Sequence, residues 1–396
     1  MSDTRLHRRE VKTILRKRDL VDPYFVGKFA FSPYHACAHG CLYCDGRAER
    51  YFVEGEFDKD IVVRANAPAL LDAELAKTRE RGIVFIGSGV SDAYQPPEAE
   101  EHLMRECARV LAERSMPVTL LTKAALVERD AEIWEDVNRK AGFLLMVSLA
   151  TLDERLRAVF EPGASTIEER LQILDGFKKR GIPVGVAAMP FLPLLADSDA
   201  DLAALARRFA DIGVDFVLHG GLTLRPGRQK ETYLAALRRA FPQMVAPTES
   251  LYAENRSSGA PLSSYLRDLD RRAAGAFRNE GLPTVVPHRL YRDRLPRYDE
   301  IYVLMRQMLL LYADHPASVR ARLRNALDLY AGWLKERRSV FNRRRKLRGS
   351  DIEGELANLA DSRGLARLLE NEKLAGFLRE VIIERRVFDP LRRVLI

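Results

Sequence analysis

The chain is poor in cysteine and tryptophan, with four and two among its 396 residues, and no apolar run is long enough to cross a bilayer. Three of the four cysteines fall within eight residues, whereas a disulfide scaffold would spread an even number of thiols across the chain. No apolar signal-peptide core follows Met1, where the opening residues are polar and basic. The expectation is therefore a soluble, cytoplasmic protein without a membrane partner. The richest apolar stretch, residues 184–196, contains Pro190 and Pro193 and suits a buried strand and loop better than a span. Low-complexity tracts and internal repeats are also missing. What is present is a 47% apolar composition, enough for a large core, which excludes wholesale disorder. The formal net charge of +8 favours anionic partners, nucleic acid first.

Along the chain, strand and helix signals alternate. Residues 1–24 are highly charged and read as a basic arm or short helix leading into a β-rich run over 24–31. Helical periodicity is expected over 67–81, 97–114, 128–140, 165–180 and 199–212, the fourth opened by a capping box with Ser165 at the N-cap and Glu168 three residues on. Between these lie short apolar runs over 82–87, 118–122, 143–149, 183–190 and 216–224. They are continuous rather than alternating, as in strands buried on both faces of a parallel sheet. The fold class is α/β, a parallel sheet with helices outside, and chemistry in such folds collects at the carboxyl ends of the strands. After about residue 245 the chain becomes polar and helical, and from 291 helical and very basic. The expected organisation is thus 1–24, 25–245, 246–290 and 291–396.

Three of the four cysteines crowd into Cys37-Ala-His-Gly-Cys41-Leu-Tyr-Cys44, a C-x3-C-x2-C spacing. Three thiolates this close can converge on one small inorganic cluster, with Gly40 permitting the tight bend. Electron-transfer clusters use four cysteines, so three would leave one iron open to a further ligand. A Cys3His zinc site completed by His39 is the competing reading, and with the Arg-rich helices it would make a non-catalytic nucleic-acid-binding protein.

The spacing, with an aromatic residue before the last cysteine and a strand before the loop, resembles the radical S-adenosylmethionine (radical SAM) superfamily. Residues 32–71 are similar to its spore-photoproduct-lyase-related branch, through Ser32-Pro-Tyr34, the cysteine core and Asn66-Ala-Pro-Ala-Leu-Leu71. Three further stretches agree: Gly89-Val-Ser-Asp-Ala-Tyr-Gln-Pro-Pro-Glu98, Ser148-Leu-Ala-Thr-Leu-Asp-Glu-Arg155 and Phe160-Glu-Pro-Gly-Ala164. The likeness spans roughly residues 10–240. It implies a partial (β/α) barrel of radical SAM type with a helical, basic C-terminal extension, a 4Fe–4S cluster on Cys37, Cys41 and Cys44, and reductive cleavage of S-adenosylmethionine (AdoMet) to a 5′-deoxyadenosyl radical. An external electron donor is implied as well, and the substrate class is nucleic acid, with a peptide or small molecule as the alternative.

By the same resemblance Tyr43 would lie against the adenine, Gly87, Ser88 and Gly89 would bring backbone close to the methionine amino group, and Ser148 would meet the ribose hydroxyls. Asp92, Tyr94 and Gln95 are expected at the pocket mouth, with His219 and Gly220 on the adenine side. Glu161 and Arg170 are expected to shape the loop. In spore photoproduct lyase a cysteine returns a hydrogen atom to the product radical. Near the matching loop this chain offers Ser88, Ser91 and Tyr94, and Cys107 reads as a buried small hydrophobe. No residue is assigned as catalytic. The basic run 337–348 in the C-terminal helices is the expected contact with DNA or RNA.

Overall fold

The computed structural model describes residues 4–87, 90–343 and 349–396. Its strands are β1 (Arg5–Arg9), β2 (Arg16–Asp22), β3 (Gly27–Phe31), β4 (Tyr34–His35), β5 (Asp60–Arg64), β6 (Val84–Ile86), β7 (Val118–Thr122), β8 (Phe143–Ser148), β9 (Val184–Phe191), β10 (Phe216–Gly221), β11 (Phe388–Asp389) and β12 (Val394–Leu395). The helices of the first part are α1 (Ala67–Ala76), α2 (Glu98–Glu101), α3 (Leu103–Glu113), α4 (Ala131–Lys140), α5 (Glu154–Phe160), α6 (Ile167–Lys179), α7 (Asp199–Ile212), α8 (Arg228–Ala240), α9 (Val245–Leu251) and α10 (Ser263–Asn279). The C-terminal helices are α11 (Arg297–Leu311), α12 (Ala317–Arg343), α13 (Gly349–Asp361), α14 (Gly364–Leu369) and α15 (Glu372–Ile382). Among the described residues no helix is long and apolar enough to cross a membrane.

The main sheet runs β10-β9-β8-β7-β6-β3-β2 and curls into an open half-barrel. Every neighbouring pair is parallel except β2 with β3. The central strand β8 shows why its sequence is continuously apolar. Phe143, Leu145 and Val147 enter the core shared with the outer helices, while Leu144 and Met146 fill the barrel interior. Trp134 of α4 stacks on Phe143 at 4.5 Å between ring centroids. Each large apolar side chain buried in this way contributes roughly 1.5–3 kcal/mol. At the amino ends of the strands the interior is stoppered by Val286, Leu290, Tyr291 and Leu295, behind a chain segment whose Pro283 carbonyl accepts from Val217 N at 2.8 Å. The carboxyl ends are left open.

Residues 5–9 and 16–22 are strands, not an arm or short helix. β1 pairs parallel to β5 in a small second sheet, and β2 closes the edge of the main sheet antiparallel to β3. Edge strands tolerate, and are protected by, charged side chains, so the charge that suggested an arm is compatible with pairing. The capping box lies one residue later than expected, with Thr166 as N-cap and Glu169 at N3, because Ser165 Oγ accepts from Ala125 N at 2.8 Å instead. The helix expected over 97–114 breaks at His102, whose φ is 53°, and the buried Glu98 carboxylate accepts from Met104 N at 2.9 Å to start α3. Within 246–290, Leu269, Ala273 and Phe277 of α10 join the main core.

Helices α11–α15 have their own core around Leu304, Tyr330, Leu334, Leu356 and Leu378, and α11 and α12 pack on β2. A buried ion network joins them to the barrel. Asp299 and Arg338 pair directly, Lys28 Nζ lies 3.8 Å from Asp299 and 4.0 Å from Glu80, and Tyr298 donates to Glu80 at 2.9 Å. Burial lowers the Lys28 ammonium to about 8 despite the neighbouring Asp299. Burial would raise the Glu80 carboxyl, but Lys28 and Arg338 outweigh it and hold the group at about 2. A carboxyl depressed in the folded state stabilises above its unfolded value, and that contribution is lost as pH falls through the folded value. Glu80→Gln should therefore cost about 3–5 kcal/mol at pH 7, the usual cost of removing one partner from a buried ion pair. Urea titrations should show the gap to wild type narrowing as pH falls from 4.5 towards 2.

Candidate active site at the carboxyl ends of the strands

The cysteine loop leaves β4 and is tied down on all sides. Ala36 and Gly40 take left-handed conformations at φ 67° and 64°, and a Cβ on Gly40 would sit 3.3 Å from the Asp58 side chain. Arg47 donates to the carbonyls of Cys41 and Gly40 at 2.9 and 2.8 Å. Gln95 clamps the other flank, accepting from Ala38 N at 2.7 Å and donating to Ala36 O at 3.2 Å. Cys37 and Cys41 are buried and Cys44 is half-buried. Burial raises all three thiols, Cys41 to about 12. Thiols of that kind stay neutral until a metal drives off the proton, as a coordinating metal does.

His39 is turned away from this set. Its Nδ1 lies 2.8 Å from Gly163 O, and its Nε2 faces Asp92 Oδ2 at 3.3 Å. A zinc site would thus lack its fourth ligand. Among the described residues no three His, Cys, Asp or Glu side chains converge on a point that one metal ion could occupy. A four-iron cluster is wider than an ion, and three thiols on one tightly bent loop, without a fourth protein ligand, suit it better.

Beside the loop a buried polar network assembles at the ends of β7 and β8. Glu161 follows α5 and is almost fully buried. Burial would raise its carboxyl, but Arg170 and Lys123 outweigh that and hold it well below the usual carboxylate range. Arg170 Nη2 stands 2.5 Å from Glu161 Oε2, Lys123 Nζ stands 3.0 Å from Oε1, and the Tyr43 hydroxyl donates to Oε1. Lys123 Nζ also donates to Ser148 Oγ at 2.6 Å and lies 5.7 Å from the Tyr43 ring centroid. Arg170 Nη1 donates to Ser148 O at 3.0 Å.

Of these groups Tyr43, Lys123 and Ser148 face a cavity of about 850 Å³, in the size range of small-molecule sites. Its walls take Phe31, Gly87, Lys123, Ser148, Met189 and Gly221 from the carboxyl ends of β3, β6, β7, β8, β9 and β10, with Cys44 and Tyr43 from the loop. A Cβ on Gly87 would meet the Phe85 ring at 2.8 Å, so close approach there requires glycine.

Of the residues expected here from sequence, Tyr43, Cys44, Gly87, Ser148 and Gly220 line the cavity, and Cys37 and Cys41 lie in its loop. Ser88 and Gly89 lie outside the described residues. Asp92, Tyr94 and Gln95 are not at the mouth. They are buried beneath the loop, where Asp92 accepts from Thr122 Oγ1 and Lys123 N, each at 2.8 Å, and Tyr94 donates to Asp130 at 3.1 Å. His219 places its ring 5.9 Å from that of Phe277 and 3.7 Å from Asp270. Sequence reasoning missed Lys123, whose signal was a lone cation directly after an apolar strand. Cys107 is fully buried in α3 among Met104, Ala108 and Leu111, and burial pushes its thiol far above the usual range. Cys107→Ala should cost about 1 kcal/mol in a denaturant titration, typical of a small core truncation, and leave the iron bound per chain unchanged.

A model of the Radical SAM superfamily matches residues 31–206. Over 274 residues the chain is 30% identical to an uncharacterized protein of Mycobacterium bovis, spanning 68% of this chain and 77% of that relative. An uncharacterized protein of Mycobacterium tuberculosis matches with the same figures. Among solved structures, spore photoproduct lyase complexed with dinucleoside spore photoproduct shares the fold, with a TM-score of 0.51 at 13% identity over 69% of this chain and 79% of that one. A doubly substituted spore photoproduct lyase with bound AdoMet and dinucleoside spore photoproduct gives 0.50 at 14% identity over the same shares. The matched segment carries the three-cysteine loop, Lys123, Ser148 and Glu161, and the chain belongs to the radical SAM superfamily.

Proposed function

We propose that this radical SAM enzyme cleaves AdoMet reductively and abstracts hydrogen from a nucleic-acid substrate, in a repair or modification reaction. The observation that carries the reading is the cavity at the strand ends, walled by Cys44 and Tyr43 and open to solvent on its far side. When bound, the cluster and AdoMet together supply a carbon-centred radical, with the electron coming from an external donor.

The chain's part is to hold, orient and shield. Cys37, Cys41 and Cys44 would hold the cluster, and burial shields Cys37 and Cys41 while Cys44 borders the cavity. Gly87 gives the cofactor a close backbone approach. Tyr43 is fixed by Glu161 and presents its ring beside the Lys123 ammonium, where an adenine would meet it. Ser148 accepts from Lys123 and donates to Met189 O at 3.3 Å, and its hydroxyl on the cavity wall would meet a ribose. Glu161 is fully engaged by its partners, which suits positioning and leaves it no free proton to exchange.

Nucleic acid is favoured by the net charge of +8 and by the cationic C-terminal helices. We assign the run 337–348 a secondary contact with the phosphate backbone. Within it Arg337 faces Glu336 and Glu355 and Arg338 is buried, while Arg343 is exposed and residues 344–348 lie outside the described residues.

Anaerobic reconstitution with iron and sulfide, followed by reduction and addition of AdoMet, should yield 5′-deoxyadenosine. Cys41→Ala should lose both the bound iron and that product. A chain that binds zinc, forms no cluster and yields no nucleoside would sink the proposal.

A further inference from the structure

The mouth of the cavity is strongly cationic, and most of its charge comes from the first strands of the chain rather than from the C-terminal helices. On β2, Arg16 and Arg18 alternate onto the cavity side, and after a register shift in the strand Asp22 lines it as well. Lys17, on the opposite face, pairs with Glu80. Arg64 of β5 and Arg50, in the turn after the cysteine loop, complete the rim.

The carboxylates of the rim are already engaged. Asp22 accepts from Tyr24 N and Phe25 N at 2.9 and 3.0 Å and lies 3.6 Å from Arg18. Asp45 accepts from Arg225 at 2.7 Å and from the Tyr51 hydroxyl at 2.5 Å. The arginines are not matched in the same way. The Arg16 guanidinium is exposed and has no hydrogen bond or ion pair among the described residues, while Arg64 donates to Ser32 O at 2.8 Å and is lowered by burial and by the neighbouring Arg16 charge. Arg18 Nε is buried without a hydrogen-bond partner. Arg50 lies over the Tyr51 ring at 5.3 Å, a flat cationic and aromatic surface on the rim.

Resting on the nucleic-acid reading above, we infer that Arg16, Arg18, Arg50 and Arg64 form the primary phosphate-binding rim, and that it takes a single-stranded or extruded stretch of the substrate. Four guanidinium groups share one opening with two carboxylates, of which Asp22 faces Arg18 and Asp45 is taken by Arg225 and Tyr51, and that excess of cations is more than a single monoanion requires. Aromatic side chains interleaved with cations are the signature of single-strand binding, in which bases stack and phosphates pair. The site also lies at the floor of a cavity behind this rim, and a base still stacked in a duplex cannot reach it.

The test is fluorescence anisotropy of a labelled single-stranded oligonucleotide with the reconstituted full chain, across a series of salt concentrations. Each phosphate contact with a single strand contributes a slope of about 0.7 in log affinity against log salt. Arg16→Gln/Arg50→Gln should lower the slope by about 1.4, and Arg16→Lys/Arg50→Lys should restore most of it. Both pairs are exposed, and an unchanged melting temperature separates lost contacts from lost folding. Salt-dependent binding by wild type with an unchanged slope in the glutamine variant would overturn the rim assignment and leave the nucleic-acid reading standing. Absence of salt-dependent binding by wild type would overturn both.

Discussion

The site depends on one buried carboxylate. Glu161 ties together four pieces of chain: the cysteine loop through Tyr43, the end of β7 through Lys123, α6 through Arg170, and its own turn after α5. A charge taken out of water costs several kcal/mol unless its partners and hydrogen bonds are well placed. Here two cations and a hydroxyl answer one carboxylate, and Arg170 also reaches the Ser148 carbonyl at the end of β8. On the other side of the loop Asp92 plays a matching part, with His39 on one face and the end of β7 on the other. The three cysteines are thus held between two buried acids, both anchored to the same strand end.

That frame gains its meaning from the asymmetry of the barrel. Apolar side chains from both faces of β8 leave no polar opening along the sheet, and the segment behind Pro283 seals the amino ends. The carboxyl ends of the strands are open, and the cations, hydroxyl and close-approach glycine gather there. In a parallel sheet every strand delivers its terminal residue to the same rim, so six strands contribute to one cavity without any two of these residues being near in sequence.

This explains what could be read in advance. The cysteine spacing is local, and its chemistry needs no fold to be recognised. The alternation of apolar runs with amphipathic stretches is local too, and it led to the parallel sheet. Lys123 was not legible, because one lysine after Thr122 looks like any solvated cation until the sheet closes around it. Asp92 and Gln95 were placed on the right loop but at the wrong depth, since a sequence does not show which side chains of a loop turn back beneath it. The first strands were misread for a different reason. A run of arginines and lysines reads as solvated, and only the pairing partners Gly27–Phe31 and Asp60–Arg64 reveal that it belongs to two sheets.

The misread strand also gives the C-terminal helices a structural role. β2 is an edge strand with charge on both faces, a poor candidate to remain in register by itself. Its outward Lys17 meets Glu80 and lies 5.9 Å from the Phe341 ring, and Arg338 donates to the Asp19 carbonyl, so α12 grips the strand from behind. α11 adds Asp299, which holds Lys28 of β3 in the same network. The alternation of a strand then does the rest: fixing one face by ion pairs fixes the direction of the other, where Arg16 and Arg18 border the cavity. The positive charge of the C-terminal part is therefore not all spent on contact with an outside partner. Arg338 uses it inside the protein, to hold in place a strand whose own cations face the site.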